Sequence, residues 1–137
     1  MRILYVITLA ERGGAQVHVA DLLRGFAPHH ELALAVGEDG YLCDVARALR
    51  IPVFVLPHLV HPMSPWKDAL AVRELLRLQK AWKADLVHAH TSKAGMVARV
   101  AGFVNCTPRG FTLRRAPRPF PKFIWARCAK IHVAGTE

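Results

Sequence analysis

The first 26 residues join an apolar run to an amphipathic stretch through a pair of glycines. Residues 3–10 are apolar except for Thr8, and apolar side chains recur at helical spacing after Gly13 and Gly14. The segment therefore predicts a strand, a tight turn and a helix. Glycines let backbone N–H groups come close to a ligand, and the amino end of a helix suits an anion, although a tight turn favours glycine even where nothing binds.

The same alternation of apolar runs and helical patterns continues to about residue 104. Strands are expected at residues 3–9, 32–36, 51–56, 85–89 and 108–112, and helices from 17 to 26, 41 to 49, 65 to 83 and 92 to about 104. The strands show no polar alternation, which is typical of parallel strands that are buried on both faces. The pattern predicts an α/β fold with a doubly wound parallel sheet.

Helix caps and buried faces follow from the same patterns. Ser64 is expected to cap the helix over residues 65–83, with Pro65 in its first turn, and Thr91 or Ser92 is expected to cap the next helix. The inward stripe of the first of these helices is predicted to be Ala69, Val72, Leu75, Leu76 and Trp82. The buried face of the second is predicted to be Met96, Val97, Val100, Ala101 and Val104.

The positive charge of the chain is unevenly distributed. The net charge is +9, and residues 109–137 hold seven Lys or Arg against one acidic residue. A basic surface favours anionic partners. Because no nucleic-acid-binding module with interleaved aromatic residues is present, we expect no nucleic-acid partner. The basic residues of the 65–83 helix fit either peripheral contact with an anionic membrane or an ordinary solvated helix face.

Cysteine and hydropathy patterns indicate the compartment. Cys43, Cys106 and Cys128 are far apart and odd in number, so they predict neither a disulfide framework nor a zinc ribbon. The apolar run at residues 3–10 is short for a signal peptide and ends in charged residues, and no run approaches the roughly 20 residues that cross a bilayer. These features favour the cytoplasm.

A second group of candidate site residues follows the fourth predicted strand, in the segment His88-Ala89-His90-Thr91-Ser92-Lys93-Ala94-Gly95. His88 and His90 share one face of that strand by the period of two, and hydroxyls follow at a helix start. Parallel strands end at the same rim, so this segment should meet the glycine turn there. Alternatively, Ser92 merely caps and Gly95 permits close packing. A metal site is disfavoured because His88 and His90 have no third ligand at suitable spacing.

The glycine turn, this histidine segment and the order of elements together resemble the acceptor-side half of GT-B glycosyltransferases of family 4, over about residues 1–104. The resemblance implies a Rossmann-like half of a GT-B fold. It also implies transfer of a hexose from a nucleotide sugar to a lipid-linked or polysaccharide acceptor, at the inner face of the membrane. It assigns substrate binding to Gly13, Gly14, His90, Ser92 and Lys93. No catalytic base, metal or cofactor is assigned.

The chain departs from the family pattern after the fifth predicted strand. Members commonly continue as F-T-A-H-G, whereas here Phe111-Thr112 is followed by Leu113 and two arginines, so the histidine is missing. We therefore expect a glycosyltransferase domain over residues 1–112 and a basic, Pro-rich divergent tail over residues 113–137. The donor-binding half of the family is not found in this sequence. The hypotheses are a truncated or frame-disrupted copy, or half of a split enzyme whose donor domain is a separate polypeptide. Either would lack turnover alone.

A noncatalytic flavodoxin-like module that binds a nucleotide or a protein partner is the alternative function. It shares the predicted fold and needs no second domain.

Overall fold

The computed structural model describes residues 1–62 and 64–105, together with the backbone of residues 109–111. The strands are β1 (Arg2–Ile7), β2 (Glu31–Val36), β3 (Val53–Val55), β4 (Leu86–Ala89) and β5 (Arg109–Phe111). The helices are α1 (Gly14–Phe26), α2 (Tyr41–Ala48), α3 (Pro65–Trp82) and α4 (Ser92–Asn105). All nine predicted elements in this part are confirmed, with β1, β3, β4 and β5 shorter than expected. The tail predicted over residues 113–137 lies outside the described residues, and the domain boundary stays a prediction.

The five strands form one parallel sheet in the order β3-β2-β1-β4-β5. β1 is central, with Val6 beside Ala35 of β2 on one side and beside Ala89 of β4 on the other. The chain first builds the sheet outward from β1 to β3, then returns and builds it in the other direction. The prediction of a doubly wound parallel sheet is confirmed, and its topological switch point lies between β1 and β4.

Two apolar cores cover the two faces of the sheet, because alternate side chains of β1 point to opposite sides. Tyr5 and Ile7 are buried with α1 and α2 on one face. Leu4 and Val6 are buried with α3 and α4 on the other. Burial on both faces explains why β1 reads as an uninterrupted apolar run.

The predicted inward stripe of α3 is wrong at Ala69, which is exposed. The fully buried positions are Ala71, Leu75 and Gln79, spaced by four. Val72, Leu76 and Trp82 pack beside them and are partly buried. The helix is therefore rotated relative to the expected orientation, since the prediction left out the small Ala71 and the polar Gln79.

The predicted buried face of α4 is wrong at its large side chains. Met96, Val100 and Val104 are 37%, 49% and 63% exposed, and the residues that face the core are Ala94, Val97, Ala98 and Ala101. Alanines on this face let α4 lie close to the sheet and to α3. The prediction is confirmed at Val97 and Ala101, and it fails elsewhere because hydropathy alone favours the larger residues.

The predicted start of α3 is confirmed, but the predicted side-chain cap is not. Pro65 is the first residue of the helix, as predicted. Ser64 occupies the cap position with an extended backbone, but its side chain makes no capping hydrogen bond. Its carbonyl instead accepts the Asp68 N–H at 2.8 Å. The prediction that the Ser64 side chain caps the helix is therefore wrong.

Gly37 allows three loops to meet at the carboxyl end of the sheet. Its N–H donates to the Thr8 carbonyl at 3.0 Å. A Cβ at this position would lie 1.9 Å from the Leu59 carbonyl oxygen and 2.6 Å from the Thr8 carbonyl oxygen. Backbone atoms cannot move aside as a flexible side chain does, so this glycine is required by space. No local sequence pattern predicted this requirement.

We expect Gly37→Ala to lower the free energy of unfolding by roughly 3 kcal/mol, because the added methyl overlaps backbone atoms. Gly25 on α1 is the matched control, since a Cβ there meets nothing within 4 Å. Gly25→Ala should stabilise by about 0.5–1 kcal/mol through helix propensity. Urea unfolding measures both, and equal midpoints for the two variants would contradict the packing assigned to Gly37.

Candidate functional site

The loops that follow β1 and β4 meet at the switch point of the sheet. The Thr8 and Thr91 hydroxyl oxygens lie 2.6 Å apart and share a hydrogen bond. The His90 N–H donates to the Val6 carbonyl at 3.0 Å. The expected convergence of the two loops on one rim is therefore confirmed. Open α/β sheets bind ligands in the crevice at this point.

The glycine turn opens the amino end of α1 toward this rim. Gly13 is the cap residue with an extended backbone, and no side chain caps the helix there. A Cβ on Gly14 would meet nothing within 4 Å, so the first turn is open to its surroundings. The first N–H groups of a helix have no partner within it. With no acidic residue in this turn, the helix end suits a negatively charged ligand.

The amino end of α4 differs, because Thr91 caps it. The Thr91 hydroxyl accepts the Ala94 N–H at 3.2 Å, and its carbonyl accepts the Gly95 N–H at 2.7 Å. Of the two predicted alternatives, Thr91 is the cap. Ser92 is the first residue of the helix and is exposed. Its hydroxyl is therefore accessible at the rim without a structural role in the cap.

His88 and His90 lie on the same side of the sheet, as the period of two predicts. Their ring centroids are 4.2 Å apart. Tyr5 of β1 stacks on His90 with ring centroids 5.7 Å apart, and His18 of α1 meets it edge-on at 5.9 Å. The two loops and α1 thus enclose a cluster of imidazole rings.

Burial favours the neutral forms of His88 and His90. It lowers the pKa of His90 to about 3, helped by the neighbouring His88 and His18. Burial also lowers the pKa of His88. His90 is 7% exposed, and its Nε2 has no hydrogen-bond partner within the described part of the chain. Neutral His90 therefore has one ring nitrogen that is buried and without a hydrogen-bond partner in the described residues.

Lys93 lies on the opposite side of the rim, against α3. Its Nζ lies 2.7 Å from Asp68 Oδ1. This contact is an ion pair without the alignment of a hydrogen bond. The Lys93 ammonium also donates a hydrogen bond to the Pro62 carbonyl. The two side chains are 8% and 15% exposed. The charge of Lys93 is thus already compensated, a structural role that the sequence analysis did not predict. Substrate contact by Lys93 stays a prediction.

Arg12 is a cation at the rim that the sequence analysis left out. Its guanidinium lies 5.5 Å from the centre of the Tyr41 ring, next to the glycine turn. Arg12 directly precedes Gly13, so its place beside the glycine turn could be read from the sequence. A single arginine, however, forms no motif that would predict a binding role. The Tyr41 ring at the start of α2 holds the guanidinium by a cation–π contact.

Two clefts lie at opposite ends of the strands, one at the rim and one at the amino ends. The cleft at the rim has a volume of about 350 Å³ and is lined by Thr8, Gly37, Leu59 and the oppositely charged Glu38 and Lys67, among others, but by none of the five predicted site residues. The other, of about 300 Å³, is lined by Leu32, Arg50 and Trp82 at the amino ends of the strands. Helices end there, so their dipoles present partial negative charge. The amino ends of helices lie at the rim instead, so the rim suits an anion better than this second cleft does.

Residues 1–62 and 64–105 contain no group of three or more His, Cys, Asp or Glu side chains arranged to hold a metal ion. No helix in this part of the chain is both long and apolar enough to span a bilayer.

The fold and rim define a Rossmann-like domain with a site at its switch point, and comparison with known proteins gives its family. The sequence profile of Glycosyltransferase Family 4 matches residues 12–133. The chain belongs to this family and corresponds to the amino-terminal part of GT-B glycosyltransferases.

One relative is the UDP-Gal:α-D-GlcNAc-diphosphoundecaprenol α-1,3-galactosyltransferase of Escherichia coli. It is 32% identical over 91 residues, which cover 62% of this chain and 22% of that protein. The chain therefore spans about a fifth of the length of this relative.

Solved structures share the fold at low sequence identity. HepE of Anabaena, crystallised with UDP, has a TM-score of 0.64 at 23% identity, over 81% of this chain and 29% of HepE. MurG of Acinetobacter baumannii has a TM-score of 0.60 at 16% identity, over 80% of this chain and 33% of MurG. The UDP-GlcNAc 2-epimerase of Neisseria meningitidis has a TM-score of 0.60 at 17% identity, over 81% of this chain and 32% of the epimerase.

We expect Thr91→Val to lower the free energy of unfolding by about 1–3 kcal/mol, because it removes the cap of α4 and leaves the Thr8 hydroxyl without its partner. Thr91→Ser keeps the hydroxyl and should recover most of the loss. Ser92→Ala is the matched control and should change stability by less than about 0.5 kcal/mol. Thermal unfolding distinguishes them, and a larger loss from Ser92→Ala would contradict the assignment of the cap.

The buried histidines predict a pH dependence of stability. The folded protein keeps His90 neutral, whereas the unfolded chain protonates it near pH 6.5, so the unfolded state binds more protons between about pH 3 and pH 6.5. The contribution of His90 is fully present above this window and falls as the pH decreases through it, by up to about 1.4 kcal/mol per pH unit. His88 acts in the same direction.

His90→Gln should flatten the dependence of unfolding free energy on pH between about pH 4.5 and pH 6.5. The exposed His29 supplies the control variant His29→Gln. Urea unfolding at several pH values gives the slopes. A His90→Gln slope equal to that of the unmodified chain would show that His90 is not held neutral.

Proposed function

We propose that this chain is the acceptor-side domain of a glycosyltransferase that moves a hexose from a nucleotide sugar to a lipid-linked or polysaccharide acceptor. The observation that carries the proposal is the uncapped amino end of α1 at the switch point, in a member of Glycosyltransferase Family 4. A ligand with phosphate groups fits that position.

The relatives support the substrate classes. The name of the Escherichia coli relative specifies a UDP-linked galactose and a diphosphoundecaprenol-linked sugar. HepE has been crystallised with UDP and with UDP-glucose. We infer the same classes for this chain, a nucleoside diphosphate sugar as donor and a sugar carried on a lipid diphosphate as acceptor.

The rim residues divide into two roles in this proposal. The N–H groups that begin at Gly14 bind phosphate oxygens, and Gly13 leaves room for the Gln16 side chain beside the turn. The exposed hydroxyl of Ser92 hydrogen-bonds a sugar hydroxyl, whereas His90 Nε2 is buried and reaches the acceptor only when the rings that cover it move apart. Lys93 contributes less positive charge to the site than a free lysine would, because it pairs with Asp68. We assign no catalytic base to these residues.

The donor half is supplied, in this proposal, by a second domain or polypeptide that faces the rim. The described residues form one side of a cleft, and we expect no turnover from this chain alone. A lipid-linked acceptor places the reaction in the cytoplasm at the inner face of the membrane, with peripheral membrane contact.

Titration of the full chain with a short-chain prenyl-diphosphate-linked sugar tests the proposal. Gly14→Ala should weaken binding by about tenfold or more, because a methyl at the helix start obstructs the approach of phosphate to the N–H groups. The added Cβ meets no protein atom within 4 Å, so the fold is unaffected. Gly25→Ala, on the same helix and equally unobstructed, should leave binding unchanged. Isothermal titration calorimetry provides the dissociation constants.

Equal affinities of the Gly14→Ala and Gly25→Ala variants would exclude the glycine turn as the phosphate site. Binding of free nucleotides without binding of the lipid-linked sugar would instead favour the flavodoxin-like module.

A further inference from the structure

The cleft at the rim, which we call the rim cleft, lies next to the glycine turn without being part of it. Leu9 lines the rim cleft, and its carbonyl accepts a hydrogen bond from Gln16 Nε2 at 3.0 Å. The Oε1 atom of the same amide lies 2.8 Å from the position that a Cβ on Gly13 would take. The Gln16 side chain therefore bridges the segment that lines the rim cleft and the amino end of α1.

The rim cleft has an apolar wall and a charged edge. Leu9, Val60 and Pro62 contribute to the wall. The edge contains Glu38, which follows β2, and Lys67 in the first turn of α3, and both side chains are exposed. Within residues 1–62 and 64–105, neither of these two side chains forms an ion pair. Both are therefore available to a ligand.

The size of the rim cleft limits what it can hold. Its volume of about 350 Å³ is at the small end of the range for ligand pockets, roughly 300–1,000 Å³. A single sugar ring suits this volume better than a whole nucleotide sugar or a lipid chain does.

The lining of the rim cleft matches a neutral sugar ring. A pyranose presents C–H groups on its faces, which pack on an apolar wall, and hydroxyls around its edge. The Glu38 carboxylate only accepts hydrogen bonds and the Lys67 ammonium only donates them, whereas a hydroxyl does both. Hydrogen bonds to charged groups are the stronger ones. An anionic ring is less suitable, because Glu38 would repel it.

We propose that the rim cleft is the subsite for a neutral sugar ring of the acceptor, with Glu38 and Lys67 as the residues that select this ring. The inference rests on the proposed function, because a diphosphate at the amino end of α1 places the attached sugar beside Leu9. Ser92 borders the same space, since the adjacent Lys93 donates a hydrogen bond to the Pro62 carbonyl. The diphosphate and the sugar thus have different partners.

Calorimetric titration of the full chain with two ligands of equal charge tests the inference. One is a short-chain prenyl diphosphate that carries N-acetylglucosamine, and the other carries a methyl group in place of the sugar. The readout is the ratio of the two affinities, in which effects on the diphosphate cancel. The unmodified chain should prefer the sugar-bearing ligand by roughly tenfold or more, as hydrogen bonds to charged groups predict.

Glu38→Gln and Lys67→Gln should each lower this preference by at least about threefold, because each replaces a charged hydrogen-bonding partner by a neutral one. Glu11→Gln and Lys80→Gln are the matched controls. They change the net charge equally at exposed residues of the loop after β1 and of α3. The preference for the sugar-bearing ligand should be unchanged in both controls.

A further titration distinguishes the acceptor from the donor as the source of the sugar. Glu38→Gln should leave the ratio of the affinities for UDP-glucose and UDP unchanged. A lower ratio would overturn the inference, because the rim cleft would then hold the sugar of the donor.

Equal affinity of the unmodified chain for the two prenyl diphosphates would overturn the inference, and so would equal preferences of Glu38→Gln and Glu11→Gln. NMR of the unmodified chain gives an independent check that needs no variant. Replacing the methyl ligand by the sugar-bearing one should shift the amides of Glu38 and Val60, and unchanged amides would contradict the subsite.

Failure of the proposed function gives a different result. Gly14→Ala would then leave the affinities for both prenyl diphosphates unchanged, or neither ligand would bind the unmodified chain, and the inference would fail with it. A normal effect of Gly14→Ala without a preference for the sugar would overturn the inference alone. Circular dichroism checks that every variant is folded.

Discussion

The parallel pairing of β1 with β4 is the constraint on which the rest of the structure depends. It reverses the direction in which the sheet grows and leaves a crevice between the two loops that follow these strands. The hydrogen bond between the Thr8 and Thr91 hydroxyls ties the loops together, and Thr91 also caps α4. One side chain thus fixes both the rim and the start of a helix.

The two helices that start beside this crevice differ in a way that matters for function. The cap on α4 satisfies one of its free N–H groups, whereas α1 begins at a glycine with no side-chain cap. An anion at the rim therefore finds its best partner in α1. The cations nearby are also partly committed, since Lys93 pairs with Asp68 and Arg12 lies over the Tyr41 ring.

The sequence alone predicted the features that depend on local pattern and chain order. These include the parallel sheet, the meeting of the glycine turn with the loop after β4, and the shared face of His88 and His90. The sequence did not predict the features that depend on contacts between distant segments. Periodicity cannot show which side of α4 faces α3, because alanines fill that side. Likewise, nothing near Gly37 or Lys93 in the sequence indicates the backbone of Leu59 or the carboxylate of Asp68 as a neighbour.

The central claim is that the acceptor binds at the switch point, against the amino end of α1. Two-dimensional ¹H–¹⁵N NMR of the full chain, titrated with a prenyl-diphosphate-linked sugar, locates the bound phosphate most directly. We expect the largest shifts at the amides of Gly14 and its neighbours in the first turn of α1, with smaller shifts at Ser92. Shifts confined to the opposite cleft, around Arg50 and Trp82, would contradict it.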